Sequence, residues 1–261
     1  MSVLLHELRL LLIALQFLTR VPVPRWVGYE PAWLHASARH FPAVGLIVGA
    51  ASAAVLWSAS MLWPLPVAVG LAMAASLWLT GGFHEDGLAD TCDGLGGAVS
   101  RDKALTIMKD SRLGSYGALG LVMVLGLKAT ALHGLGRLGV LHAAVPALLF
   151  AHAASRSATV MLLGSLAYAG DAEHAKAKPM AQQVSRAGMA VALAWPAVIA
   201  AALLFLVGWR PVLAAALGCA ITALVCRRWF LRRLGGYTGD TLGATQQLSE
   251  LAAYLAWLAT A

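Results

Sequence analysis

Residues 81–94 concentrate charge that could do chemistry in an otherwise apolar chain. This stretch holds four carboxylates and one histidine, whereas the whole sequence of 261 residues contains only 12 Asp and Glu. Asp86, Asp90 and Asp93 are spaced i, i+4 and i+7, so a helix would bring them onto one face. Three carboxylates about one turn apart would repel one another unless a cation neutralised them. Oxygen ligands suit Mg²⁺ or Mn²⁺ rather than zinc, so we predict a Mg²⁺ site formed by these three aspartates. The alternative is a solvated acidic cluster at a helix N-terminus.

A second segment, residues 101–117, supplies groups that suit phosphate oxygens. Lys109, Ser111 and Arg112 combine cationic and hydroxyl donors with glycine-rich backbone, and an arginine can grip phosphate with two hydrogen bonds. We predict that these three residues bind substrate, together with His84 from the acidic stretch. The alternative for the basic residues is ordinary positive charge at the end of a membrane span.

A third polar segment, residues 235–247, contains one aspartate between glycines. Asp240 is expected in a loop, where it could complete the metal site or accept a proton from an alcohol. A tight turn closed by the aspartate's own hydrogen bond is the alternative. With Asp86 and Asp90, Asp240 is a predicted catalytic residue. Carboxylates, a divalent cation and basic residues together indicate phosphoryl-group chemistry on a diphosphate.

The composition indicates that lipid surrounds much of the chain. Hydrophobic residues make up 60% of the sequence, charged residues only 12%, and the mean hydropathy is +0.75, whereas soluble domains have roughly 25% charged residues. We therefore predict a single domain over residues 1–261, an all-α polytopic membrane helix bundle. Its six transmembrane helices are expected at 41–62, 65–80, 117–133, 139–163, 188–207 and 211–226. Apolar helices at 1–20 and 248–261 flank them, and the composition leaves open whether these also cross the membrane.

The distribution of Lys and Arg predicts the orientation. Fourteen of the 19 fall in four long connectors, and the short turns between these connectors hold at most one each. The connectors are 20–40, 81–116, 164–187 and 227–247. By the positive-inside rule they face the cytoplasm, which places the acidic site on the cytoplasmic side of the membrane. The net charge of +7 does not indicate nucleic acid, because the basic residues lie between apolar spans rather than along one face.

Two basic residues fall inside predicted spans. Lys128 lies near the end of a span, so we expect its amine to snorkel to the interface. For Arg156, an orientation into the bundle interior and one away from it are equally compatible with the sequence.

The chain closely resembles the cobalamin synthase family, the adenosylcobinamide-GDP ribazoletransferases. The resemblance is carried in order by residues 17–24, 40–47, 81–94, 107–117 and 236–244. It implies that the protein joins adenosylcobinamide-GDP to α-ribazole or its 5′-phosphate with release of GMP, using Mg²⁺, in the last steps of cobalamin biosynthesis.

The resemblance also bears on single positions. It matches Asp86 to the family's first motif aspartate, with Asp90 and Asp93 in register, and matches Arg112 and Asp240 to motif positions. Glu85 stands where the family usually has an apolar residue, so we assign it no shared role.

Two other classes of protein compete with this interpretation. A CDP-alcohol phosphotransferase also uses clustered aspartates, but the opening motif usual in that family, Asp-Gly-x-x-Ala-Arg, is absent here. A cation transporter would carry carboxylates in the middle of its spans, whereas ten of the twelve acids here lie in the predicted cytoplasmic connectors.

Overall fold

The structure, a computed structural model, describes residues 3–97, 100–170 and 183–261. Within these ranges the chain is helical, and the sole extended pairing is one bridge between Tyr168 and Tyr237. The prediction of an all-α bundle is confirmed. Part of the predicted connector 164–187, including Asp171 and Glu173, lies outside the described residues.

The described residues form eleven α-helices. In chain order they are α1 (Val3–Leu18), α2 (Pro31–Ser37), α3 (Phe41–Ser60), α4 (Leu65–Thr80), α5 (Phe83–Gly97), α6 (Arg101–Met108), α7 (Ser115–Leu138), α8 (Val145–Ser165), α9 (Arg186–Val207), α10 (Trp209–Leu234) and α11 (Gly239–Leu258). Short 3₁₀ turns occur at Arg25–Val27 and Ala38–His40, and a π-helical turn, Val140–Ala144, leads into α8.

Five helical stretches are long and apolar enough to cross a membrane, and a sixth is counted if α4 and α5 form one broken span. The five contain α3, α7, α8, α9 and α10, so the protein is a multi-pass membrane protein. The six predicted spans match α3, α4, α7, α8, α9 and α10. The prediction for 211–226 ends early, because α10 continues to Leu234 and includes the four arginines of 227–233.

Helix α8 forms the centre of the bundle. In its apolar window 83% of residues are buried, against 17% for α9 on the outside. Helix α3 approaches α8 closely through Gly45 and Gly49, since a Cβ atom at Gly49 would lie 2.9 Å from the Leu148 carbonyl oxygen. Small residues spaced by four allow such backbone contact between membrane helices. This contact holds α3 against the centre of the bundle.

A sharp bend between α4 and α5 sets the direction of the acidic stretch. The two helix axes differ by 89°. Gly81 and Gly82 connect them with φ of 70° and 73°, a left-handed conformation that glycine adopts without a steric penalty. The acidic residues consequently lie on a helix that turns across the end of α4 rather than extending it.

Helix α11 differs from the prediction. The sequence suggests a polar connector to residue 247 and then an apolar tail, but Gly239–Leu258 is one helix. Its polar residues are buried inside the bundle: Thr241, Thr245, Gln246, Gln247, Ser249 and Glu250. Polarity was therefore a poor guide to exposure here, because Gln246, Gln247 and Glu250 have partners on neighbouring helices. Thr241 and Thr245 donate to carbonyls of their own segment.

Candidate active site

Helix α5 carries the acidic stretch, as predicted. It starts just after the Gly81-Gly82 bend, and the Asp86 amide donates to the Gly82 carbonyl (2.9 Å). Glu85 and Asp86 stand in its first turn, where the helix dipole favours negative charge. Asp86 is exposed and Asp90, one turn further on, is half-buried. Two of the three predicted carboxylates thus lie one turn apart on this helix.

The third carboxylate has an evident structural partner. The Gly114 amide donates to Asp93 Oδ2 and the Gly117 amide donates to Asp93 Oδ1, both at 2.8 Å. Gly114 is the N-cap residue of α7, so Asp93 binds the N-terminus of that helix from a neighbouring one. These bonds attach the basic segment 101–117 to α5. The metal-binding role of Asp93 stays a prediction, beside a capping role that the geometry displays.

Asp240 lies in the first turn of α11, not in a loop as the glycines suggested. Thr238 caps this helix: its hydroxyl accepts from the Thr241 amide (3.3 Å), and the Thr241 hydroxyl accepts from the Thr238 amide (2.8 Å). Asp240 is therefore positioned by a capping box rather than by a turn of its own. Its charge again lies at the positive end of a helix.

Glycine allows α11 to contact α5 backbone to backbone. A Cβ atom at Gly87 would lie 2.8 Å from the Asp240 carbonyl oxygen, and one at Gly243 would lie 3.1 Å from the His84 carbonyl oxygen. Since Gly87 directly follows Asp86, this contact brings the Asp240 backbone to the acidic helix. The first and third predicted segments therefore meet.

The loop 109–114 supplies the predicted phosphate-binding residues. Ser111 and Arg112 are exposed. Arg112 holds Asp110 with two side-chain nitrogens: Nε donates to Oδ1 (3.0 Å) and Nη2 donates to Oδ2 (2.6 Å). These hydrogen bonds lower the pKa of Asp110 to about 2. The guanidinium is thus accessible, and its partner is a carboxylate whose geometry resembles that of a phosphate.

Helix ends gather at this side of the bundle. Arg101 Nε donates to the Leu234 carbonyl (2.7 Å) and Nη2 to the Ala169 carbonyl (3.0 Å), which ties α6 to the end of α10 and to the segment after α8. The N-termini of α7 and α11 both contact α5 there. Helix N-termini favour anions, so the site combines carboxylates for a cation or proton with amide dipoles and an arginine for phosphate.

His84 faces a different direction from the exposed carboxylates. Its side chain is buried, and its ring contacts Phe83 edge to face with centroids 5.4 Å apart. It lines a cavity beneath the acidic helix, together with Arg156 of α8. The predicted role of His84 in substrate binding stays a prediction, now directed at this cavity.

The residues fit a Mg²⁺ ion in part. Among the residues that the structure describes, no group of three His, Cys, Asp or Glu side chains is arranged to hold a metal ion. The compact three-aspartate cluster expected from the spacing is therefore not preformed. Mg²⁺, however, commonly binds one or two carboxylates and completes its shell with water and substrate phosphates. Asp86 and Asp90, one turn apart on α5, are the carboxylates predicted for such a pair, and their role as ligands stays a prediction.

A buried ionic network beneath the site was not anticipated from the sequence. Lys128 does not snorkel: its Nζ lies 2.6 Å from Glu250 Oε1 inside the bundle, and both residues are buried. Gln247 connects the pair to the acidic helix, because it accepts from Lys128 (3.0 Å) and donates to Glu85 Oε1 (2.9 Å). Arg156 is buried too, which decides the question left open above. Lysine and arginine side chains buried within predicted spans need acidic partners inside the membrane. Glu250 was the one acidic residue in the predicted apolar tail, so it was the candidate partner.

Fold and site together define a multi-pass helical membrane protein with a carboxylate- and arginine-bearing site at one end of its bundle. A family model described as cobalamin-5-phosphate synthase matches residues 10–258. The chain therefore belongs to the cobalamin-5-phosphate synthase family.

Relatives named adenosylcobinamide-GDP ribazoletransferase match over nearly their whole length. The protein from Leptothrix cholodnii is 67% identical, covering 99% of this chain and 98% of its own. Those from Polaromonas naphthalenivorans and Vibrio cholerae are 43% and 41% identical, covering 96% and 99% of this chain and 98% and 96% of their own. No solved structure matches the chain. These matches favour neither the CDP-alcohol phosphotransferase nor the cation transporter.

Proposed function

We propose that this protein is an adenosylcobinamide-GDP ribazoletransferase, acting in the last steps of cobalamin biosynthesis. The observation that supports this most is the convergence of three distant segments on one helix. Asp93 binds the loop that carries Arg112, and Gly87 contacts the backbone of Asp240. A diphosphate substrate needs this combination of anion-binding groups and carboxylates.

The proposed reaction is a displacement at phosphorus. A ribose hydroxyl of α-ribazole, or of its 5′-phosphate, forms a bond to the phosphorus that carries adenosylcobinamide. The bond from that phosphorus to the bridging oxygen breaks, and GMP leaves with the electron pair. One carboxylate among Asp86, Asp90 and Asp240 takes the hydroxyl proton. Lys109, Ser111 and Arg112 hold the phosphate oxygens, aided by the N-termini of α7 and α11.

We propose Mg²⁺ as the cofactor, held by Asp86 and Asp90 together with the substrate's phosphates. When bound, the ion would neutralise charge on the diphosphate and on the departing GMP. Asp93 is the third predicted ligand, and its carboxylate would have to serve the cation and the α7 amides together.

The direct test is release of GMP by the purified protein in detergent. With Mg²⁺, adenosylcobinamide-GDP and α-ribazole, we expect GMP and adenosylcobalamin to form in equal amounts. CDP-alcohol and diacylglycerol serve as the matched substrate pair for the lipid-enzyme alternative. GMP no higher than in a protein-free control would refute the proposal, and CMP release from the second pair would favour the alternative.

We further propose that the protein lies in the bacterial inner membrane with this site facing the cytoplasm. The support is the concentration of Lys and Arg in the connectors at the site's end of the bundle. Fusions after Ser100 and after Gly208 test it, because Gly208 lies in a short turn between α9 and α10. A cytoplasmic reporter should be active only at Ser100 and a periplasmic reporter only at Gly208. The reverse pattern would overturn the orientation.

A further inference from the structure

A narrow cavity lies beside the acidic helix, between α1, α3, α5, α8 and α11. It encloses about 510 Å³ of space free of protein atoms, counted out to its mouth, but only about 40 Å³ of this is wide enough for the centre of a water molecule. The space is therefore narrow along its length, and we call it the slot. A group no thicker than an aromatic ring suits such a width.

Aromatic rings form much of the wall. Phe17 and Phe41 are stacked, with centroids 5.7 Å apart and planes 16° from parallel. Phe83 meets Phe17 edge to face at 5.6 Å, and His84 extends the group from α5. Three helices thus contribute rings to one side of the slot. Such walls favour another aromatic ring, which can stack or pack edge to face.

One polar group in the wall has no partner among the residues that the structure describes. Arg156 is only 2% exposed and its Nη1 donates to the His152 carbonyl (2.9 Å), but within the described ranges no group hydrogen-bonds its buried Nε. Leaving a buried charged donor unsatisfied is costly. Because Arg156 is one of the residues that line the slot, an acceptor on a ligand that reached its Nε would satisfy this donor.

Two residues that line the slot are close in the chain to predicted catalytic carboxylates. His84 is two residues before Asp86 on α5, and Gly239, which also lines the slot, directly precedes Asp240. A substituent that leaves the slot along the starts of α5 and α11 would reach the helix turns that carry Asp86 and Asp240.

We infer that this slot binds the heteroaromatic base of the ribazole acceptor, an inference that rests on the function proposed above. A benzimidazole riboside has a flat bicyclic ring with one free acceptor nitrogen and no ring N–H donor. The aromatic walls match the ring, and Arg156 Nε matches the nitrogen. Guanine would place its own N–H donors in the apolar slot. A lipid chain would offer no acceptor to the Arg156 N–H. With the base in the slot, the ribose reaches the carboxylates, where its hydroxyl can lose its proton as it attacks phosphorus.

The test separates the two substrates. Phe83→Leu keeps apolar bulk but removes one aromatic wall, and Phe83 is partly exposed, so the fold should tolerate the change. The KM for α-ribazole should rise about 3- to 10-fold, the range expected for loss of an aromatic pair. The KM for adenosylcobinamide-GDP and the kcat at saturation should stay unchanged. Phe205→Leu is the matched control, because Phe205 is 93% exposed on α9.

A binding measurement gives a second readout that does not need turnover. Titration of α-ribazole into the wild-type protein should give saturable binding, weaker by the same factor in Phe83→Leu and weaker again in Arg156→Lys. An unchanged KM and affinity for α-ribazole in Phe83→Leu would overturn the inference, as would a rise confined to the KM for adenosylcobinamide-GDP. In either case GMP release by the wild type would still stand. Absence of GMP release would instead defeat the proposed function.

Discussion

Asp86 and Asp93 have the same side chain on the same helix, but their surroundings differ. Asp86 is exposed, and no structural hydrogen bond of its carboxylate is found among the described residues. Asp93 accepts two amide hydrogen bonds from the start of α7. The sequence could show their shared face, but it could not distinguish these surroundings, because Gly114 and Gly117 are more than twenty residues away.

For Asp86→Asn we predict nearly complete loss of GMP release with unchanged thermal stability. Asparagine keeps the shape of the side chain and removes the charge that would hold Mg²⁺ or accept a proton. Turnover and the melting temperature in detergent are measured on the same preparation. Activity within twofold of the wild type would show that Asp86 has neither role.

For Asp93→Ala we predict a loss of stability even without Mg²⁺. The α7 amides lose a charged acceptor, which at a helix N-terminus is worth about 0.5–2 kcal/mol. The melting temperature in EDTA should fall for this variant but not for Asp86→Ala. If both variants melt like the wild type in EDTA, the capping role is incorrect.

For Arg112→Ala we predict a higher KM for adenosylcobinamide-GDP and little change in the KM for α-ribazole. The pKa of Asp110 is lowered to about 2 from an ordinary 3.8, so its ion pair with Arg112 is intact at neutral pH. The ion pair is lost only as the pH falls through about 2. A direct check follows: the pKa of Asp110 should rise toward 3.8 in Arg112→Ala. Unchanged KM values would remove Arg112 from the phosphate site.

At the scale of helices, the contact between α5 and α11 assembles the site. For Gly87→Ala we predict a large loss of activity, because its Cβ would lie 2.8 Å from the Asp240 carbonyl oxygen and would push Asp240 away. Gly126→Ala on α7 is the control, since a Cβ there meets nothing within 4 Å. GMP release is measured for both variants. Equal activities would show that this contact does not position the site.

The sequence predicted α5 well and α11 poorly, for one physical reason. In α5 the aspartate spacing follows the helical period and its apolar neighbours mark the spans, so local pattern is sufficient. In α11 several buried residues are polar, and the two glutamines have partners on other helices: Gln246 donates to Ser155 of α8 (3.1 Å), and Gln247 accepts from Lys128 of α7. Local pattern cannot reveal a partner that is distant in the chain.

At the scale of the whole bundle, the Lys128–Glu250 pair links α7 to α11 in the interior. For Glu250→Leu we predict destabilisation of about 3–5 kcal/mol, because Lys128 would be left charged and unpaired inside the bundle. The double variant Lys128→Met/Glu250→Leu should recover much of this loss, since neither charge remains. Thermal unfolding in detergent measures both. A single variant as stable as the wild type would show that the pair contributes little.

The central claim is that carboxylates of α5, with the basic loop and the start of α11, hold Mg²⁺ and a diphosphate at one end of the bundle. The most direct measurement is a cryo-electron microscopy map of the protein with Mg²⁺ and adenosylcobinamide-GDP. We predict density for a cation between Asp86, Asp90 and the diphosphate, with Arg112 released from Asp110 onto a phosphate oxygen. A diphosphate bound elsewhere, with no cation beside Asp86 and Asp90, would contradict the account.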